Sequence, residues 1–129
     1  MQQIEKLAMP VGRVLIAMMF VMAGFGKIVD YAGTQGYMEM MGVPGALLPL
    51  VIITEIGGGL AIILGWQTRL AALALAGFSL ISAVIFHADF ADQMQMTMFL
   101  KNVSIAGGFL FLVAHGAGAY ALDNRQKGA

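Results

Sequence analysis

Six ionisable side chains lie inside or at the ends of long apolar runs: Arg13, Lys27, Glu55, His87, Lys101 and His115, with Asn102 beside Lys101. Glu55 is the extreme case, a carboxylate set in "VIITEIGGGLAIILG" with Gly57, Gly58 and Gly59 close behind it. A carboxylate or an imidazole can relay a proton, and lysine, histidine or asparagine can donate hydrogen bonds to a carbonyl oxygen. Their cost makes them informative: an ionisable group at the centre of a membrane helix costs at least about 2.5 kcal/mol and must face a bundle interior or water. The chain has no cysteine, so disulfides, thiolate metal sites and cysteine redox centres are excluded. Redox chemistry here requires a bound cofactor or a partner.

The elements that must position these groups are membrane helices. Of 129 residues, 60% are hydrophobic and 11% charged; the mean hydropathy is +0.84. That balance is foreign to a soluble domain. Windows 9–29, 46–65, 70–87 and 98–120 match the roughly 20 helical residues needed to cross about 30 Å of hydrocarbon. The expected fold is therefore all-α: one integral membrane domain over residues 1–129, a four-helix bundle in contact with lipid. "GVPG", Gly42 to Gly45, breaks the first connection, and "WQTR" makes the second a tight hairpin. Tyr31, Trp66, Phe90 and Tyr120 sit at window ends, as interfacial aromatics do. The first window lacks a convincing small-residue cleavage site in "VMAGFGK" and reads as a retained helix. The formal charge is zero, and no basic patch points to nucleic acid.

Lysines and arginines set the expected orientation. Lys6, Arg13, Arg69, Arg125 and Lys127 fall on the side of the termini, against Lys27 and Lys101 on the other. The positive-inside rule then places both termini in the cytoplasm. Every Cα–Cβ bond leans toward its helix N-terminus. Lys27, near the outer end of an outward-running helix, leans back into the membrane, and Glu55, on an inward-running helix, leans out toward it. The expected result is a polar cluster in the outer half, built on Lys27 and Glu55, with His87, Lys101 and Asn102 near its mouth. Arg13 leans toward cytoplasmic headgroups, or serves structure. The pair has two readings that the residues leave open: a clamp that fixes helix register, or part of a ligand site.

Small residues should let these helices approach. In lipid, where hydrophobic drive between helices is absent, thin surfaces supply the packing. Gly24 on the first helix, Gly57, Gly58 and Gly59 on the second, and Gly107 and Gly108 on the fourth are the candidates. They give either close packing around an ion pair or room for a flat ligand. Arg13, Ala17, Phe20, Gly24 and Lys27 recur at steps of three and four and mark the bundle-facing stripe. The methionines of "YMEMMG" and "MQMTM" suit Cu(I) only where the segment is extended; in a helix alternate positions diverge, and no metal site is assigned.

"VGRVLIAMMFVMAGFGKI", "TEIGGGLAIILG", "TRLAAL", "FHADF" and "KNVSIAGGFLFL" together resemble DoxX-family membrane proteins, from about Met9 to Tyr120. The resemblance implies a multi-pass bacterial inner-membrane protein whose recurrent polar positions are Arg13, Lys27, Glu55, His87, Lys101 and Asn102. Founding members of the family are associated with a thiosulfate:quinone oxidoreductase, and others with membrane oxidoreductase complexes or responses to quinones and oxidants. It therefore implies a subunit or accessory of a membrane oxidoreductase, with a quinone as cofactor and a partner subunit or second copy alongside. No recognisable thiosulfate site is present. A non-catalytic carrier or stress-response protein for small apolar or aromatic solutes would use the same pocket, and no inverted repeat supports transport.

Overall fold

The computed structural model describes residues 2–123. It contains five α-helices: α1 (Gln2–Val29), α2 (Tyr31–Met40), α3 (Leu48–Leu64), α4 (Thr68–Phe86) and α5 (Gln93–His115). No strand occurs among the described residues. α1, α3, α4 and α5 are long and apolar enough to span a membrane. They alternate in direction: α1 lies along α3, α4 along α5, and α3 against α4 joins the two pairs.

Helix boundaries depart from the apolar windows for local reasons. α1 starts seven residues before Met9, because backbone hydrogen bonding continues through polar residues that hydropathy does not count. α5 is shifted toward the N-terminus at both ends. Asp92 caps it by accepting from Met94 N–H at 3.0 Å, and Gly116 ends it at φ +76°. The expected extension to Tyr120 therefore fails, and "GAGA" is non-helical. α2 occupies what reads as an outer loop. Ten residues cannot sustain a helix alone; Tyr37 stacks on Phe86 of α4, and Met38 is buried. Met40, two positions on, is 83% exposed against 4% for Met38, the divergence that a helix imposes on alternate methionines.

The core is small. Phe20 of α1 meets Phe109 of α5 edge-on at 5.5 Å and Phe78 of α4 at 6.5 Å, surrounded by Ala17, Ala72, Ala76 and Ala106. Large apolar side chains such as Leu15, Ile53, Leu73 and Phe111 instead cover the outside, as lipid requires. Glycine permits the close contacts. A Cβ at Gly59 would meet the Ala17 carbonyl at 3.2 Å and Val21 at 2.7 Å; one at Gly58 would press on Leu75; one at Gly108 would press on Ile16. Gly57 and Gly107 have open space around them, so the expected packing role fails at these two positions. Successive helical residues turn by about 100°, and only some glycines of a run can face a neighbour.

Of the two readings of Arg13, the structural one holds. Arg13 is 1% exposed and does not reach headgroups. Its guanidinium donates to the carbonyls of Ile62 and Ile63, at 3.3 and 3.1 Å, and of Ala119 and Tyr120, at 2.9 and 2.8 Å. The first two lie in the last turn of α3, where carbonyls lack intrahelical partners and the helix dipole favours a cation. The second two belong to the segment after α5, which Arg13 thus ties across the bundle end. Asp123 completes the tie: its carboxylate accepts from Gln67 N–H at 2.7 Å and Thr68 N–H at 2.8 Å, capping α4 from 55 residues away. Its own N–H donates to the Gly65 carbonyl. Gly65 turns the chain there at φ +71°, where a Cβ would collide with Ala121 and Arg13. Arg125 and Lys127, counted for orientation, lie outside the described residues.

Burial opposes the charged form of Asp123, but hydrogen bonding to Thr68 and Gln67 and the Arg13 charge outweigh it and hold the carboxyl below its ordinary range. A folded value below the unfolded one, near 4, gives stability that is complete above about pH 4 and lost as pH falls through the folded value. Asp123→Asn should lower stability near neutral pH by about 1 kcal/mol, as loss of a cap does. Thermal melts of detergent-purified protein should show the gap to wild type closing below about pH 4. A pH-independent gap would mean that the carboxylate charge contributes nothing.

Candidate functional site

At the end of the bundle opposite Arg13, Lys27 Nζ lies 2.8 Å from Glu55 Oε1. The Glu55 side chain is 5% exposed and that of Lys27 28%. The approach depends on Gly24, three residues before Lys27, where any Cβ would collide with Ile56 and lie 3.5 Å from Glu55 Cβ. α1 and α3 thus close together one turn below the lysine, and its flexible stem bridges the rest. Helix direction places both groups at one depth, as their tilt requires.

The pair forms part of the wall of a cleft of about 540 Å³. α2 contributes Tyr37 and Met38, α3 contributes Leu50, Val51 and Glu55, and α4 contributes Phe78, Ile81, Ser82, Ile85 and Phe86, with His87 at its C-cap. The lining is mostly apolar. Tyr37 and Phe86 stack nearly parallel, 20° between planes and 5.5 Å between centroids. A smaller chamber of about 160 Å³ shares Glu55, Phe78, Ser82 and His87 with the cleft and adds Phe20, Ser79 and Asn102. Asn102 Nδ2 donates to the Ser79 carbonyl at 3.3 Å. His87 Nδ1 lies within hydrogen-bond distance of Gln95 Oε1, at 3.0 Å.

Lys27, Glu55, His87 and Asn102 are thus brought around two adjoining spaces. Lys101 is not: it is exposed and borders neither. One residue of helix separates it from Asn102, about 100° of rotation, so when Asn102 faces α4 its neighbour faces outward. His115 lies at the far end, beside Arg69 in a separate open pocket. Among the described residues, no three His, Asp or Glu side chains gather as metal ligands. Sequence reading missed Tyr37 and Phe86, whose helix was read as loop and whose ring was one of many, and also Ser79 and Ser82. The serines left a signal in "GFSLISAVIF": two hydroxyls three apart share one face of an otherwise apolar span.

Chemically, the arrangement is an apolar slot that ends on a cation, a carboxylate and an imidazole, able to hold a flat molecule and exchange a proton with it. The ion pair also carries structure. Lys27→Met would strand the Glu55 carboxylate in the bundle and should cost about 3–5 kcal/mol, whereas replacing both residues by methionine should recover most of the loss. Thermal melts in detergent check this; a double variant no more stable than Lys27→Met would mean that the two side chains do not act as a pair.

The comparisons with known proteins agree with this architecture. The DoxX family model matches residues 8–88, which spans α1 to α4 with Lys27, Glu55 and His87 and stops before α5. The chain is 53% identical over 123 residues to the inner membrane protein YqjF of Escherichia coli strain K12, covering 95% of each chain. It is 36% identical over 122 residues to the inner membrane protein YphA of the same strain, covering 89% of this chain and 87% of that one. No solved structure matches. With four helices able to span a bilayer and relatives of this kind, the chain belongs to the DoxX family and is a multi-pass inner-membrane protein.

Proposed function

We propose that the protein binds a quinone-type ligand in the cleft between α2, α3 and α4 and acts as a subunit or accessory of a membrane oxidoreductase. The observation that carries this reading is one geometry: an apolar cleft of about 540 Å³, walled by the stacked Tyr37 and Phe86, that ends on the Lys27–Glu55 pair. Membrane pockets for such ligands are mostly apolar with a few placed polar groups. In this reading Lys27 donates a hydrogen bond to a ring oxygen, and Glu55 or His87 passes protons. Reduction of the quinone to the hydroquinone takes two electrons, supplied by a partner reductase, and two protons, delivered through these side chains. Both termini and the Arg13 end then face the cytoplasm, as the basic residues favour, and the cleft lies in the outer half.

Quinone retention tests the reading. Protein extracted in mild detergent from native membrane should carry endogenous quinone, detected by mass spectrometry of the organic extract. Glu55→Gln and Phe86→Ala should lose most of it while keeping the helical circular dichroism of wild type. Wild type without quinone, or a different aromatic compound retained in its place, would overturn it, the latter in favour of a carrier for apolar solutes.

A further inference from the structure

Ser79 is 2% exposed, and its hydroxyl has no hydrogen-bond partner. A serine within a helix usually returns its hydroxyl to the carbonyl four residues earlier, and leaving it unpaired in a buried place is unfavourable. Ser79 lines the small chamber that adjoins the cleft, together with Asn102. Asn102 uses one N–H on the Ser79 carbonyl. Ser79 and Asn102 thus bring a hydroxyl and an amide from two facing helices to one chamber, and the hydroxyl is unpartnered. Glu55 and His87 line both this chamber and the cleft.

We infer that this chamber is the subsite for the oxygen-bearing end of the cleft's ligand, read by Ser79 and Asn102. It rests on the cleft reading above and adds which residues select the ligand. The donor inventory gives the selectivity. An ammonium only donates and a carboxylate only accepts, whereas a hydroxyl and an amide do both. Ser79 O–H and the second Asn102 N–H can donate to a quinone carbonyl; Ser79 Oγ and Asn102 Oδ1 can accept from a hydroquinone hydroxyl. The chamber therefore holds the oxidised and reduced forms of an aromatic diketone with similar affinity and discriminates against aromatics without oxygen.

The test is titration calorimetry of detergent-purified wild type and Ser79→Ala with 1,4-naphthoquinone, with 1,4-dihydroxynaphthalene under anaerobic reducing conditions, and with naphthalene. Ser79→Ala should weaken the first two about five- to tenfold each, the effect of one lost hydrogen bond, and leave naphthalene unchanged. Asn102→Leu should weaken the same two ligands. Removing an unpaired buried hydroxyl should not lower the melting temperature of Ser79→Ala, which separates lost recognition from lost fold. Naphthoquinone that binds wild type and both variants equally would overturn the subsite while leaving the cleft reading intact. Weakening of only one redox form would also overturn it. Failure of naphthoquinone to bind wild type would instead sink the cleft reading on which it rests.

Discussion

A carboxylate buried in a membrane span is the constraint on which the Lys27 end of the bundle depends. Glu55 sits 5% exposed in the middle of α3, where neither water nor headgroups reach it readily, and Lys27 lies 2.8 Å away. That contact requires α1 and α3 to close together below it, which a side chain at position 24 would prevent. It also requires the two helices to run in opposite directions, so that their side chains tilt toward a common depth. The pair is only part of a wall: α2 folds back over it, and Tyr37 and Phe86 stack beside it. An apolar cleft that ends on charge is the result.

The opposite end solves a different problem. α3 stops at Leu64 and leaves carbonyls that, near a membrane surface, need donors. Arg13 supplies them and at the same time holds the segment after α5, whose Asp123 caps α4. One guanidinium on α1 thus fastens the end of α3 and the segment after α5 through four carbonyls, and the Asp123 carboxylate of that segment holds α4. With that end fixed by polar contacts, the small alanine- and phenylalanine-rich core between need only fill space. The two charged centres therefore differ in kind: the terminal nitrogens of Arg13 are taken up by four backbone carbonyls, with only Nε left unpartnered, whereas Lys27 and Glu55 border open volume.

Much of this was legible in the sequence because the bilayer acts as a stringent solvent. Apolar windows of span length reveal the four long helices, and the cost of charge within them singles out Arg13, Lys27 and Glu55. Side-chain tilt alone brings Lys27 and Glu55 together. Where the reading failed, the missing information was tertiary. Nothing local distinguishes Gly57 from Gly59, yet only one faces α1. Lys101 and Asn102 are adjacent in sequence and diverge by a helical step. α2 is a helix because Tyr37 and Met38 find partners outside it, which hydropathy cannot register. The choice between headgroup and structural roles for Arg13 is not legible because its acceptors lie 49 to 107 residues away.

Function turns on whether the cleft is occupied or merely left over from packing. An ion pair that only fixed register would be served as well by helices closed tightly around it; here about 540 Å³ remains beside it, with aromatic rings on one wall. The most direct measurement is photolabelling of the protein in native membranes with an azido-substituted quinone, the adducts being mapped by peptide mass spectrometry. The account predicts labels concentrated around Tyr37 and Met38 and around Phe86 and His87, suppressed by excess unlabelled quinone. Labels spread over lipid-facing positions such as Leu15, Leu73 and Phe111, and insensitive to competitor, would contradict it.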